Sequence, residues 1–474
     1  MLIIMNKLLK INDMKNKFKK IFGLMVLILF ISSCNKWIDT DINKDPGRPT
    51  DVSLNLILPT VEAGLGYCVG GDLKYDCTLW MQQLSGAANQ PLAADRYNVS
   101  QGDVDNMWKW GMYAGPMKDM YEMMKKADVE KSPHYKGVAE VLMALSLGYV
   151  TDLWGDVPYS DAFQGNGALA PKYDLQQNIY EVTLPALLNS AISNLQAGSS
   201  IFSPGTDDFI YGGDLTKWLK AAYALKARYA IHLTEQKGAS VYDSALTAIT
   251  NAFTANGDDL QFNFGANSNE NNPLFQFSDQ RPGDMVMGKY LVDTLIGLSD
   301  PRLPYYVDTT GGATGLAAGE GGTASAFGPF YASPGSPVIF ASYVEMLFIK
   351  AEAAFGKNDK PTAATAYNDG VKASLAKYGI TDAAYIAANA SETAGSISLA
   401  KIMFQKYLGC FLQIEIYNDW RRTDLPVLTP ATKGVLGGQI ARRYPYPTSE
   451  RIYNGKNIPK PTPVPTDHVW WDKN

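Results

Sequence analysis

Eight residues between positions 80 and 108 have the types that recognise a sugar: Trp80, Asn89, Gln90, Asp95, Arg96, Tyr97, Asn98 and Trp108. A pyranose ring offers a flat C–H face that suits an aromatic ring. Its hydroxyls need amides and guanidinium groups set in fixed directions, and a few such groups carry most of a shallow site. A second patch, Gln276, Gln280 and Arg281 beside Phe275 and Phe277, has the same composition. The sequence leaves both patches open.

Helical spacing separates two neighbouring tryptophans. Trp110, Tyr113, Ala114, Met117, Met120, Tyr121 and Met124 follow one another at three- and four-residue steps, an apolar stripe on one helix face. That spacing puts Trp110 in the core. Trp108 lies roughly 200° round the helix from it, which predicts the exposed ring. Gly115-Pro116 must kink this helix or split it.

Templates for covalent chemistry fail. His134, His232 and His468 are far apart with no His-Glu-x-x-His, so a zinc hydrolase has no visible ligands. No nucleophile elbow or phosphate loop occurs. Gly165-Asn166-Gly167-Ala168-Leu169-Ala170 has dinucleotide-loop spelling but no apolar strand before it. Asp39, Asp41 and Asn43 imitate a calcium loop, yet Lys44 stands where glycine is needed and Thr50 where the bidentate Glu belongs. A glycoside hydrolase would need two carboxylates about 5–10 Å apart across a cleft. It stays as the rival reading.

The elements that must position these residues are mainly helical. Val138–Val150, Ile179–Leu195 and Leu215–His232 are predicted helices, the first ending near Gly155 and Pro158. Residues 256–283 show no helical period, and Gly311–Gly335, with eight glycines, reads as a long irregular loop. Ala341–Phe355 and Pro361–Lys377 form a helix hairpin with small residues at its crossing, similar to a tetratricopeptide unit without a strict repeat. A last long helix is predicted from Leu399 to about Trp420. Glu352, Arg421-Arg422, and Arg443 with Glu450 suggest charge-assisted contacts that fix helix ends and loops.

The chain has 474 residues, with 42 Lys+Arg, 47 Asp+Glu and a formal net charge of −5. Nothing supplies a basic face for nucleic acid. Tyr, at 27, outnumbers Phe, at 18, and 9 Trp join them, which suits wet aromatic surfaces. Lys15, Lys17, Lys19 and Lys20 precede an apolar run from Ile21 to Ile31, too short to span a bilayer but right for an export signal. Ile31-Ser32-Ser33-Cys34 follows and resembles the lipobox of bacterial lipoproteins, cut before a lipid-bearing cysteine. This predicts a signal peptide at 1–33, a lipidated tether at 34–50 and a single α-helical domain at 51–474. Losing six Lys and one Asp with the peptide takes +5 from −5 and leaves −10, so attachment is through lipid on Cys34 and not through a basic patch. Cys68 and Cys77 could pair across a short loop, but the odd Cys410 gives no disulfide framework.

Several segments resemble the SusD/RagB family of outer-membrane nutrient-binding lipoproteins. They are Asn43-Lys44-Asp45-Pro46 after the lipobox, the run Ser146–Tyr159 containing Asp152-Leu153-Trp154-Gly155-Asp156-Val157-Pro158, and Asp300-Pro301-Arg302-Leu303. Tyr343–Ala353, Asp419-Trp420-Arg421-Arg422 and Arg443-Tyr444-Pro445-Tyr446-Pro447 complete the series in the family's order, and Trp470-Trp471 is similar to the SusD-like branch. The resemblance implies a mainly α scaffold of tetratricopeptide-like helix pairs, with the ligand site on long irregular loops. It also implies a cell-surface lipoprotein of a diderm bacterium that does no covalent chemistry. Such a protein captures an oligosaccharide, or in some members a peptide, for a SusC-type TonB-dependent transporter. Some members bind calcium; no residue here is nominated for it. The candidate ligand residues are Trp80, Asn89, Gln90, Arg96, Tyr97, Trp108, Gln280 and Arg281.

Overall fold

The computed structural model describes residues 1–32 and 51–473 in two units, Met1–Ser53 and Leu54–Asn474. Cys34 and the predicted tether at 34–50 lie outside the described residues. In the first unit Leu2–Ser32 is one helix.

The second unit is built mostly of helices, and its central one is Pro133–Trp154. Proline in its first turn removes no needed hydrogen bond. From Gly137 to Trp154 every residue is buried, which is why an apolar run of this length sits in a core and not at a surface. Among the described residues it alone is long and apolar enough to cross a membrane, and the protein buries the whole of its apolar stretch. Pro116–Val129 and Leu184–Leu195 pack along it. Gly148 lets a third helix, Leu215–His232, come close: a Cβ there would lie 2.1 Å from the Tyr229 hydroxyl, which donates to the Ala144 carbonyl at 2.9 Å. Gly155 ends the central helix with φ +82°, and the Arg443 guanidinium lies just beyond, donating to the Trp154 carbonyl.

The helix hairpin is Tyr343–Gly356 with Lys360–Ala376, each capped by the preceding side chain, Ser342 and Asp359. Buried charges tie it to the rest. Arg228 donates to both Glu345 oxygens at 2.7 and 2.6 Å, and Arg422 is paired with Glu352 and Asp419. Arg302 is bidentate to Asp300. Arg443 and Glu450 each fix a loop, but not together: Glu450 accepts from Tyr173 at 2.7 Å.

Three expectations about elements change. The helix predicted from Leu399 to Trp420 is two, Leu399–Gly409 and Glu415–Thr423, because the chain turns at Leu412 with φ +59° and Gln83 fills the break. Residues 256–283 hold a strand, Leu260–Asn263, and a helix, Pro273–Gln280, started by the Asn272 side chain, which accepts from Leu274 and Phe275. Cys68, Cys77 and Cys410 are free thiols, so no Cys68–Cys77 bond forms. The segment Gly311–Gly335 has no helix or strand, as its glycines predict.

Two short antiparallel ribbons complete the unit. Leu260–Asn263 pairs with Pro337–Ala341. Leu84–Gly86 pairs with Met285–Met287, Leu84 opposite Met287 and Gly86 opposite Met285. This second ribbon joins the two sequence patches that carry sugar-binding composition.

Candidate ligand-binding site

The helix Leu54–Gly70 forms one wall of the site. Gly111 has no Cβ to strike Cys68 Sγ, and Pro116 lies against Gly64, so the chain from 111 to 116 runs back along this helix. The segment Met107–Tyr113 takes a π-helical turn, with Ala114 N–H donating to Lys109 O at 2.7 Å. Such a turn inserts a residue relative to an α-helix and changes which side chains face inward.

That turn reverses the expectation for the two tryptophans. Trp108 is 3% exposed and packs on Trp154, Tyr113 and Tyr446 with ring centroids 5.2, 4.7 and 6.4 Å away. Trp110 is 64% exposed. From Met117 onward the stripe faces the core, with Met117 and Met120 buried and Tyr121 and Met124 half-buried beside Met123, which the stripe left out, but it cannot be extended backward across the break at Gly115 and the π turn. Trp108 is a core residue, and Trp110 is the open ring.

Trp110 stands at a cavity of about 760 Å³, within the roughly 300–1,000 Å³ usual for ligand sites. Its walls combine rings, amides and carboxylates. The rings are Trp110, Tyr67, Tyr75 and Phe277; the amides are Gln90, Asn98, Asn106, Gln276 and Gln280. Asp72, Asp76 and Asp103 face it as well, with Arg281. Gln90 and Asn98 of the first patch and Gln276, Phe277, Gln280 and Arg281 of the second line this one cavity. Burial and the nearby Asp72 and Asp103 push the Asp76 carboxyl up to about 7. Burial and Asp72 push the Cys68 thiol up to about 12, so it stays an unreactive wall group.

Of the candidate residues, Gln90, Gln280 and Arg281 line the cavity. Trp80 does not: it is buried and donates its indole N–H to Ala94 O at 3.0 Å. Tyr97 is also buried, its hydroxyl accepting from Ala431 N at 2.9 Å. Asn89 donates to Asp284 at 2.7 Å and stitches the ends of the ribbon. Arg96 braces the glycine-rich loop, donating to Gly319 O at 2.7 Å. These four have the composition of a sugar site because the frame beneath one also needs rings and directional donors. Sequence reasoning missed Asp72, Tyr75 and Asp76, which share the cavity-facing edge of the helix Asp72–Trp80 at three- and four-residue steps. That spacing was visible.

A profile described as "Starch-binding associating with outer membrane", of SusD-like type, matches residues 61–447. Among solved structures, a chitin-binding protein is 26% identical, with 89% of this chain and 100% of that one covered, at a TM-score of 0.77. A SusD/RagB family protein from Bacteroides thetaiotaomicron is 24% identical, covering 89% and 99%, at 0.73. A chitin-binding SusD homolog from Flavobacterium johnsoniae is 23% identical, covering 89% and 99%, at 0.76. No curated protein sequence matches. With its helical core, its buried motif residues and a family profile spanning most of its length, the chain belongs to the SusD/RagB family, as a non-enzymatic nutrient-binding lipoprotein at the outer-membrane surface of a diderm bacterium that works with a SusC-type transporter.

Proposed function

We propose that the nutrient is an oligosaccharide and that it binds in the cavity beside Trp110. The observation that carries this reading is the exposed Trp110 ring next to a cavity lined by five amides. An indole face gains by covering a sugar's C–H surface, and amides meet its hydroxyls without requiring charge. The similarity to a chitin-binding protein favours a chain of β-linked N-acetylglucosamine as the first ligand to try. Residues 1–33 serve as the export signal, Cys34 carries the lipid, 34–50 form the tether, and 51–474 are one binding domain. The helix pairs, Tyr343–Gly356 with Lys360–Ala376 among them, act as a tetratricopeptide-like scaffold.

Calorimetric titration of the soluble Cys34→Ser protein with N-acetylglucosamine hexamer and with starch oligosaccharides tests the reading. Saturable binding of one of them, lost in Trp110→Ala, is expected. Binding that survives Trp110→Ala, or binding of peptides alone, would refute it. Cys34→Ser itself should move the protein out of the membrane fraction.

A further inference from the structure

We propose that this cavity selects positively charged sugars, taking oligosaccharides with free amino groups in preference to their N-acetylated counterparts and rejecting uronic-acid chains. The inference rests on the oligosaccharide reading above and adds a chemical class to it.

Asp72 and Asp76 stand four residues apart on one helix, so their carboxylates share a face. Asp103 reaches the same cavity from the loop after Tyr97, held there by the Ser100 N–H and hydroxyl, both at 2.7 Å. Among the described residues the lining holds one cationic side chain, Arg281, whose charge acts on Asp72. Three carboxylates against one guanidinium leave an excess of negative charge. Burial first, and then Asp72 and Asp103, raise the Asp76 carboxyl to about 7, so a cation placed beside it would draw it into the ionised form.

A second feature of the same wall calls for a ligand. Tyr75 lines the cavity at 7% exposure, and its buried hydroxyl makes no hydrogen bond within the protein. Buried hydroxyls are nearly always paired, so a group from outside the protein, a water or a bound ligand, completes this one. An ammonium on a bound sugar would sit among the carboxylates while a neighbouring ring oxygen or hydroxyl accepts from Tyr75. An acetamido group brings no charge to that place, and a uronate brings the wrong one. In a partly desolvated site both differences are felt strongly.

The experiment is calorimetry on the intact protein in detergent with three probes: glucosamine hexamer, N-acetylglucosamine hexamer and galacturonate hexamer. The glucosamine hexamer should bind on the order of tenfold more tightly than the acetylated one, with no galacturonate binding. Raising the salt to about 0.5 M should shrink that ratio, because exposed charge is screened. Asp76→Asn and Asp103→Asn should each bring the ratio of the two hexamers toward one, and a circular-dichroism melt checks that each variant is folded. Equal or tighter binding of the acetylated hexamer would overturn the charge selection and leave the oligosaccharide reading standing. Failure of all three probes to bind would overturn both.

Discussion

The indole N–H of Trp471, three residues from the end of the sequence, donates to Asp152 Oδ1 at 3.1 Å in the middle of the core. Asp152 also accepts from Tyr180 and from Asn418, the latter at 3.1 Å. Above the Trp471 ring lies the Arg421 guanidinium, 4.6 Å from its centroid, and Arg421 donates to Asp152 O at 2.6 Å. The carboxyl tail is thus a structural part of the helix end that carries Asp152-Leu153-Trp154-Gly155. Trp471 is fully buried, and Trp471→Ala should cost about 3–5 kcal/mol in urea unfolding. A loss below roughly 1 kcal/mol would show that the tail is an appendage.

The two close tryptophans should respond in opposite ways. Trp108→Ala removes a ring packed on Trp154 and Tyr446 and should destabilise by about 3–5 kcal/mol. Trp110→Ala should leave unfolding within about 0.5 kcal/mol and abolish measurable oligosaccharide binding. Thermal melts and one titration of each variant decide the matter.

Acid should weaken the core through Glu415. Burial alone would raise its carboxyl, but His232, Arg228 and Lys406 hold it well below the usual carboxylate range. Its Oε1 is 2.6 Å from His232 Nε2. A carboxyl lowered on folding stabilises the native state fully above its unfolded value of about 4.3, and this contribution is lost as pH falls below that value. The urea midpoint should therefore begin to drop near about pH 5 and keep falling below about pH 3. Glu415→Gln should flatten that limb and cost about 1–3 kcal/mol at neutral pH, since it weakens the His232 contact while Arg228 keeps Glu345 and Lys406 keeps Asp419.

Gly86→Ala should damage stability and binding together. A Cβ at Gly86 would lie 2.1 Å from the Pro91 carbonyl oxygen, and neither backbone can yield without moving the ribbon. The shift would carry Gln90 on one side and the segment from Gln276 to Met285 on the other. A lower melting temperature with weakened binding is expected; weakened binding alone would mean that the ribbon is not what positions the walls.

Helices with uninterrupted periodicity and a capping side chain are legible in the sequence. Leu215–His232 after Asp214 and the hairpin around Asp359 are examples. Local signals failed where tertiary contacts set the backbone. The π turn at 107–113 depends on Gly111 meeting Cys68, a partner outside the window in which periodicity is counted. The break after Gly409 depends on Gln83, which bonds both Tyr407 O and Leu412 N from far upstream. The short helix Pro273–Gln280 was announced by Asn272-Pro273, a cap followed by a first-turn proline, but eight residues are too few for a period to emerge. At the site, composition found the right region and misjudged individual roles. Trp80, Arg96 and Tyr97 use their polar atoms to hold the frame, and no residue-type count separates that task from contact with a ligand.

The strand Leu84–Gly86 has its mate at Met285–Met287, far along the chain. A polypeptide emerging amino end first therefore carries the Trp110 side of the cavity long before the Arg281 side exists. The two walls of the cavity stand together only where this ribbon is paired.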